Sequence, residues 1–337
     1  MESHNVDARR PRLKSLPKAE VHVHLEGTFD PALLERWAAE AGVPMPRPRE
    51  QLLQFGGLAD FLHFLDWACG LADTPERLAS LARDFCERLQ RDGTGYADLI
   101  FNPTHWSAWH GRLRPMLDAL DAGFREAEQD GLPTVGLCVS LLRTQSAAEA
   151  VELVEMLSGW RHPRVVALSV DGNEATAGRT GPRFAEAFAR AGAAGLRRTV
   201  HAGESSGPEG VRDAIELLQA DRIDHGVRAA EDPALVELLA ERGVPLGICP
   251  SSNVQLGVYE SLAIHPMERL RQAGVPLSIN TDDPSLLGTD LPREYALCAQ
   301  QFGWDDEVLR AIAATSIISS FANADVKARL QQQLASW

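Results

Sequence analysis

Two histidines near the start of the chain have the spacing of a metal site. His22 and His24 are separated by one residue at the end of the run Glu20–His24. Polar and apolar residues alternate along this run, which predicts a β-strand. Side chains two positions apart on a strand point to the same face. Both imidazoles therefore leave the predicted strand on one side, close enough together to bind the same metal ion.

Other ionisable side chains follow later predicted strands at the same relative position. They are His201, Glu204, His225, Asp282 and Asp283. Any one of them alone is explained by a turn, a helix cap or a buried hydrogen bond. Their recurrence at several strand ends predicts that they converge on one catalytic rim.

The elements that position these residues alternate along the chain. Eight β-rich runs are predicted as strands: Glu20–His24, Tyr96–Asn102, Thr134–Ser140, Val165–Asp171, Arg197–His201, Arg222–His225, Pro245–Cys249 and Pro276–Asn280. Amphipathic helical patterns lie between most of them. Examples are Pro75–Arg91, Met116–Gln129, Ala147–Ser158, Arg183–Ala194, Gly210–Gln219, Pro233–Arg242 and Pro266–Ala273. Strand–helix alternation predicts parallel βαβ units.

Eight such units favour an α/β fold of the closed (β/α)8 TIM-barrel type, in a single domain over residues 14–337. The alternative, a doubly wound open sheet, needs a glycine-rich phosphate turn after the first strand, and the sequence has none there. Residues 1–13 are predicted to be a disordered leader. The segment 29–74 is too long for one helix and one turn. It predicts extra helices over the C-terminal mouth, where Phe61 and Leu62 contribute to an apolar stripe over the substrate cavity.

Composition excludes several kinds of partner. The net charge is −14 without a basic stripe, which argues against a nucleic-acid polymer or an anionic membrane. No apolar run approaches the length of a membrane span, and no signal peptide is evident, so a cytoplasmic location is expected. The five cysteines are scattered and contain no C-x-x-C pair, which predicts reduced, buried thiols. The oligomeric state is not readable from these residues.

The distribution of lysine narrows the chemistry further. The only lysines are Lys14, Lys18 and Lys327. Schiff-base and pyridoxal phosphate enzymes need a lysine in the core, and those classes are therefore disfavoured. A binuclear centre bridged by a carbamylated lysine is also disfavoured, because no predicted strand contains a lysine. A site with a single metal ion is expected.

Three histidines and one carboxylate suit Zn²⁺ with an open position for water. His22, His24, His201 and Asp282 are the natural ligand set. Zinc lowers the pKa of bound water from about 15.7 to about 7. Glu204 lies three residues beyond His201, across a glycine turn, and can face a substrate. His225 can orient or deprotonate the attacking water.

These blocks resemble the adenosine deaminase family of metal-dependent barrel hydrolases over nearly the whole chain. The matching motifs are Leu16–Gly27, His201–Glu204, Arg222–Gly226 and Asn280–Pro284. The resemblance implies one Zn²⁺ on the ligand set named above and hydrolytic attack on C6 of a 6-aminopurine with release of ammonia. It further implies that Glu204 protonates N1, that His225 activates the water, that Asp283 contacts N7 and that the Gly172 backbone contacts N3.

The resemblance leaves the substrate open. Val170–Glu174 and Pro250–Asn253 are similar to blocks of adenosine deaminases and favour adenosine, giving inosine. Glu26 stands where adenosine deaminases usually have an aspartate that meets the ribose, and glutamate there is frequent in adenine deaminases. Adenine and a 5′-modified adenosine of the aminodeoxyfutalosine type are therefore alternatives. A purine-binding barrel without catalysis is disfavoured, because every implied ligand and both proton-handling residues are present.

Overall fold

The strands form the barrel that the sequence predicts. A computed structural model describes residues 2–337. Its strands are β1 (Lys18–His24), β2 (Thr94–Phe101), β3 (Thr134–Leu142), β4 (Val165–Asp171), β5 (Arg197–Ala202), β6 (Arg222–His225), β7 (Leu246–Ile248) and β8 (Leu277–Ile279). They are ordered β1 to β8 and each pairs with the next in parallel. All eight predicted strands are therefore confirmed within a few residues at each end.

Hydrogen bonds between β1 and the residues that follow β8 close the barrel. The His24 amide donates to the Asp282 carbonyl (2.8 Å), and the Asp282 amide donates to the His22 carbonyl (3.2 Å). The Val21 amide donates to the side-chain oxygen of Asn280 (2.8 Å). These bonds tie the first histidine motif, on β1, to the Asn280–Asp282 segment that follows β8.

The helices form an outer layer, with short ones at the mouth. They are α1 (Glu2–Lys14), α2 (Pro31–Ala41), α3 (Leu58–Gly70), α4 (Pro75–Asp92), α5 (Leu113–Gln129), α6 (Ala147–Trp160), α7 (Glu174–Ala177), α8 (Gly181–Ala193), α9 (Pro208–Glu216), α10 (Pro233–Arg242), α11 (Pro250–Gln255), α12 (Met267–Gln272), α13 (Leu291–Phe302), α14 (Asp306–Ser319) and α15 (Ala324–Ala335). Within residues 2–337, no helix is both long and apolar enough to span a bilayer.

Local signals set the ends of these helices. α10 begins after Asp232, whose carboxylate accepts from two backbone amides, and it ends at Gly243 in the left-handed conformation. α6 begins with a reciprocal capping box between Ser146 and Glu149. Such caps define where each helix returns to the sheet, and therefore where each following strand starts.

The prediction of a disordered leader is wrong for the described part of that segment. Residues 2–14 form α1, which packs against α13. Val6 and Leu13 lie seven positions apart, on one face of the helix, and both are buried in the core. The basic, polar composition hid this short apolar face. An ion pair between Arg10 and Asp290 adds to the contact.

β1 starts two residues earlier than predicted and therefore does contain a lysine. Lys18 is fully buried at the amino-terminal end of the barrel, opposite to the catalytic rim. Its ammonium group donates to the carbonyls of Leu13, Leu16 and Asp92 at 2.9–3.1 Å. Because backbone oxygens already bind this amine, it has a structural role in joining the end of α1 to β1 and α4.

Candidate active site

Three imidazoles meet at the carboxyl ends of β1 and β5. Nε2 of His201 lies 3.1 Å from Nε2 of His22 and 3.0 Å from Nε2 of His24. The alternation of β1 places His22 and His24 on the same face, and the parallel arrangement of the strands brings the end of β5 to the same rim. The structure thus brings together the three histidines that the sequence singled out.

A carboxylate completes this cluster. Oδ1 of Asp282 lies 3.2 Å from Nε2 of His22 and 3.4 Å from Nε2 of His24. Asp282 follows β8 and has φ = 66°, a left-handed conformation that costs of order 1–3 kcal/mol for a residue other than glycine. The strained backbone, held by its bonds to β1, lets Asp282 and Asp283 face the site from adjacent positions.

The outer ring nitrogens face acceptors. Nδ1 of His22 lies 2.8 Å from the Gly247 carbonyl, which can only accept a hydrogen bond, and therefore this nitrogen carries the proton. Nδ1 of His201 has no hydrogen-bond partner among the described residues, and Oδ2 of the buried Asp224 lies 3.6 Å from it. An acceptor beyond the outer nitrogen is the usual support for a metal-binding histidine. For His22, the Gly247 carbonyl is such an acceptor, and it directs the Nε2 lone pair into the cluster.

These donor atoms fit a zinc ion. Atoms held about 2.0–2.1 Å from one tetrahedral ion lie about 3.3 Å apart, and the separations measured here are 3.0–3.4 Å. Lone pairs facing one another at 3.0 Å repel unless a cation lies between them. The chemistry of the donor set, three nitrogens and one carboxylate oxygen, is also that of catalytic zinc.

His225 lies beside the same cluster. One ligand atom from each of four residues falls within 4.8 Å of the others in the set His22, His201, His225 and Asp282. Nε2 of His225 is 3.5 Å from Oε1 of Glu204 and 3.9 Å from Oδ2 of Asp282. Distance alone therefore leaves two candidates, His24 and His225, for the third histidine ligand.

Glu204 is held by the turn that follows β5. A second carboxylate, Glu174 at the start of α7, accepts hydrogen bonds from the amides of Gly203, Glu204 and Ser206 at 3.0–3.2 Å. Burial, together with the nearby carboxylates of Asp282 and Glu174, raises the pKa of Glu204 to about 8. Glu204 therefore carries a proton at neutral pH in the metal-free site, as a general acid requires.

The cavity in front of this cluster is roofed by the apolar face of α3. The predicted substrate residues Glu26, Phe61, Leu62, Gly172 and Asp283 all line it, together with His24, His201, Glu204, His225 and Asp282. The extra helix after β1 thus covers the mouth, as the sequence predicts. The other side of the same helix packs Phe64, Ala68 and Cys69 into the core.

Two residues that line the cavity each have a buried carboxyl oxygen without a hydrogen-bond partner among the described residues. The two oxygens are Oε2 of Glu26 and Oδ1 of Asp283. The other oxygen of Glu26 accepts from the Asn102 amide and the Trp106 indole, both at 2.8 Å. Burial raises the pKa of both carboxyls, and for Asp283 the nearby carboxylate of Asp282 raises it further. Polar atoms buried in this way are expected to meet a ligand.

A glycine allows Asp283 to approach. A Cβ atom at Gly27 would overlap the carboxyl oxygen, the Cβ and the backbone Cα of Asp283, so Gly27→Ala must displace that residue. We expect kcat/KM to fall by about 10²-fold, the usual effect of a 1 Å misplacement. Gly159→Ala is the matched control, because its Cβ meets no atom within 4 Å. Unchanged kinetics in Gly27→Ala would show that the position of Asp283 does not matter.

The sequence reasoning assigned no role to two supporting residues. Asp224 stands directly before His225, and Glu174 ends the block Val170–Glu174, which is noted above only for its similarity to adenosine deaminases. Glu174 accepts from backbone amides in the turn after β5, and Asp224 lies beside the ring of His201; both contacts join residues far apart in the sequence. One signal in the sequence could have identified them: a charged residue on or beside a core strand is expected to be buried, and a buried charge needs a partner.

The barrel and the cluster of histidines and aspartate at its C-terminal rim are typical of one class of proteins, the metal-dependent barrel hydrolases. A family model described as adenosine deaminase matches residues 17–337. The chain belongs to the adenosine deaminase family, and it is accordingly a deaminating hydrolase.

Named relatives cover almost the whole chain. An adenine deaminase of Agrobacterium fabrum is 36% identical over 325 residues, which is 95% of this chain and 98% of the relative. An aminodeoxyfutalosine deaminase of Streptomyces coelicolor is 33% identical over 345 residues, which is 99% of this chain and 89% of the relative. These two names coincide with the two alternatives to adenosine.

Solved structures share the fold. The adenine deaminase of Arthrobacter aurescens aligns with a TM-score of 0.89 and 28% identity, covering 96% of this chain and 99% of that one. An amidohydrolase of Burkholderia ambifaria, crystallised with bound zinc, aligns with a TM-score of 0.89 and 28% identity, covering 98% of this chain and 92% of that one. The zinc in the second structure agrees with the donor set found here.

Proposed function

We propose that this protein catalyses the hydrolytic deamination of a 6-aminopurine. Water replaces the 6-amino group, and the products are a 6-oxopurine and ammonia. The observation that carries this proposal is the placement of two buried carboxyls, Glu204 and Asp283, on the cavity wall beside the cluster. Purine N1 and N7 flank C6, and both are hydrogen-bond acceptors. Two protonated carboxyls can therefore bind the ring with C6 facing the cluster.

The ligands that we propose for zinc are His22, His24, His201 and Asp282. When bound, the ion acidifies a water molecule to a pKa of about 7 and so supplies a nucleophile at neutral pH. The protein residues provide everything else: they orient the purine, exclude bulk water beneath α3, and move protons.

Glu204 performs the first proton transfer. Its proton passes to N1 as the C6 centre is attacked, which draws electron density away from C6 and allows it to become tetrahedral. Asp283 donates to N7, and the Gly172 backbone contacts N3. Nε2 of His225 lies 3.5 Å from Oε1 of Glu204, and we assign it the contact with the attacking water. As the bond from C6 to the amino nitrogen breaks, the amino group takes the proton of the hydroxyl added at C6; it leaves as ammonia, and C6 becomes a carbonyl.

The identity of the 6-aminopurine is tested by a panel. The relatives at 33–36% identity support adenine and an aminodeoxyfutalosine-type nucleoside, and the blocks noted in the sequence support adenosine. We expect zinc-dependent ammonia release from at least one of adenine, adenosine, methylthioadenosine and an aminodeoxyfutalosine-type nucleoside. Comparison of kcat/KM across the panel ranks them.

Glu26 provides a control for this panel. If its free oxygen contacts the part of the substrate attached to N9, Glu26→Gln should change the ranking, whereas the exposed Glu50→Gln should not. Absence of ammonia release from every compound, in protein loaded with zinc, would contradict the proposal.

A further inference from the structure

A chain of buried polar groups connects His225 to the backbone of α12. The Met267 amide donates to Nδ1 of His265 at 3.2 Å. Nε2 of His265 lies 3.1 Å from Oδ1 of Asn253, and Nδ2 of Asn253 lies 3.2 Å from Nδ1 of His225. Asn253 is completely buried, and the two histidines are 1–4% exposed. Because water does not reach these buried groups, they must form hydrogen bonds with one another.

The direction of every hydrogen bond in this chain follows from its first member. A backbone amide can only donate, and therefore Nδ1 of His265 accepts. A neutral imidazole has a single N–H, which must then be on Nε2 of His265. Burial lowers the pKa of His265 to about 4, which keeps this ring neutral at pH 7.

The next two bonds follow in the same way. Nε2–H of His265 needs an acceptor, and this requirement places the amide oxygen of Asn253 toward His265. The amide nitrogen of Asn253 then faces His225 and donates to it. Nδ1 of His225 is therefore an acceptor without a proton. The usual ambiguity between the oxygen and nitrogen of an asparagine side chain is removed by the Met267 amide.

We propose that Asn253 and His265 are positioning residues which hold His225 as the tautomer protonated at Nε2. In that form Nε2 has no lone pair, and His225 is neither a zinc ligand nor the base of the resting enzyme. It is a hydrogen-bond donor to the oxygen that attacks C6. This role for the donor rests on the proposed function, whereas the tautomer itself does not.

The contrast with His22 supports this assignment. His22 also has its outer nitrogen against a backbone group, but that group is the Gly247 carbonyl at 2.8 Å. A carbonyl accepts, so His22 carries its proton on Nδ1 and directs a lone pair inward. Two neighbouring imidazoles, 4.5 Å apart between ring centres, are thus given opposite tautomers by backbone atoms. One is suited to bind a metal ion and the other to donate.

This assignment decides between the two candidate ligand sets. Judged by distance, either His225 or His24 could be the third histidine ligand of zinc. A protonated Nε2 cannot bind zinc, and His225 is therefore excluded. The set that remains is His22, His24, His201 and Asp282. The oxygens nearest to Nε2 of His225 belong to the Glu204 carboxyl and the Asp282 carboxylate, at 3.5 and 3.9 Å.

The donor has a catalytic consequence. As C6 becomes tetrahedral, negative charge builds on the attacking oxygen, and a donor already aimed at that position stabilises it without reorganisation. Loss of one such donor costs about 10²–10³ in kcat in other enzymes. A misplaced or inverted imidazole at this position is therefore expected to lower kcat with little change in KM.

Nitrogen NMR on the zinc-loaded full chain tests the tautomer directly. Histidine labelled with ¹⁵N is incorporated, long-range couplings from the ring protons identify which nitrogen is protonated, and His225→Gln assigns the His225 signals. We expect a proton on Nε2, none on Nδ1, and no zinc coordination of either nitrogen. A proton on Nδ1, or a zinc-coordinated Nε2, would overturn the proposal.

Asn253→Asp provides the matched perturbation. A carboxylate can only accept, and it should therefore move the proton of His225 to Nδ1. We expect that change in the NMR spectrum, unchanged zinc content, and a fall in kcat of about 10²-fold or more. Asn323→Asp, at the exposed start of α15, should change none of these. An unaltered His225 spectrum in folded Asn253→Asp would contradict the relay.

The two proposals can fail independently. If no 6-aminopurine releases ammonia, the deaminase proposal fails, but the NMR result for His225 still stands. If ammonia is released while His225 is protonated on Nδ1, the deaminase proposal stands and the relay is wrong. Should Asn253→Asp fail to fold, the spectrum of the wild-type protein alone decides the tautomer.

Discussion

Glu204→Gln is expected to abolish nearly all turnover while the protein keeps its zinc. Glutamine has the size of glutamate and can still donate to N1 of a purine, but it has no proton to transfer. General acid catalysis contributes about 10²–10⁴ to enzymatic rates, and we expect kcat to fall by that factor. Zinc content should be unchanged, because Glu204 is not among the proposed ligands.

Glu209→Gln is the control for this variant, because it makes the same substitution at an exposed position five residues further along the chain. It should retain wild-type kcat and KM. Near-normal turnover by Glu204→Gln would show that proton transfer to the purine does not depend on this carboxyl. A parallel loss of zinc would instead mean that Glu204 takes part in metal binding.

The pH profile provides an independent check on Glu204. The acid must be protonated to act, so activity requires a pH below its pKa, which burial raises to about 8 in the metal-free site. Activity should therefore fall as the pH rises through this value. The positive charge of bound zinc lowers the pKa, and the fall should accordingly begin below pH 8. In Glu204→Gln this alkaline limb should be absent from the residual rate.

Much of this site could be predicted because its parts are local. The alternation in β1 places two histidines on one face, and strand–helix alternation indicates a parallel barrel in which strand ends converge. The apolar spacing in α3 likewise indicated a helix over the mouth. Each of these signals depends on neighbouring residues in the chain, which is why the strands were located within a few residues.

The remaining features depend on contacts between distant segments. His225 and Asp282 both have φ = 66°, a conformation that no sequence signal predicts for residues other than glycine. The partners of Asn253 lie 12 and 28 positions away. α1 is basic and polar along most of its length, and only its packing on α13 shows that it is folded. In each case the tertiary environment determines the local state.

His201→Ala is expected to lose both zinc and activity, since His201 stands between the other two imidazoles, 3.0 and 3.1 Å from them. Changes in residues that merely support a ligand cost 10–100-fold in metal affinity, and removal of the ligand should therefore cost more than about 100-fold. Chelator competition measures the affinity, and ammonia release measures activity. His162→Ala, a buried histidine remote from the rim, is the control and should retain both.

Thermal unfolding separates loss of the ligand from loss of the fold. Zinc that binds only the native state stabilises it by about 2.7 kcal/mol at a concentration 100 times the dissociation constant. The melting temperature of the wild-type protein should therefore rise when zinc is added. That of His201→Ala should stay the same at the same zinc concentration. At a much higher zinc concentration, the melting temperature of His201→Ala should rise in part, because three donors remain. Excess zinc should not restore the activity of Glu204→Gln. Stoichiometric zinc of wild-type affinity in His201→Ala would refute the ligand set, and the cluster at the end of β1 would then need another explanation.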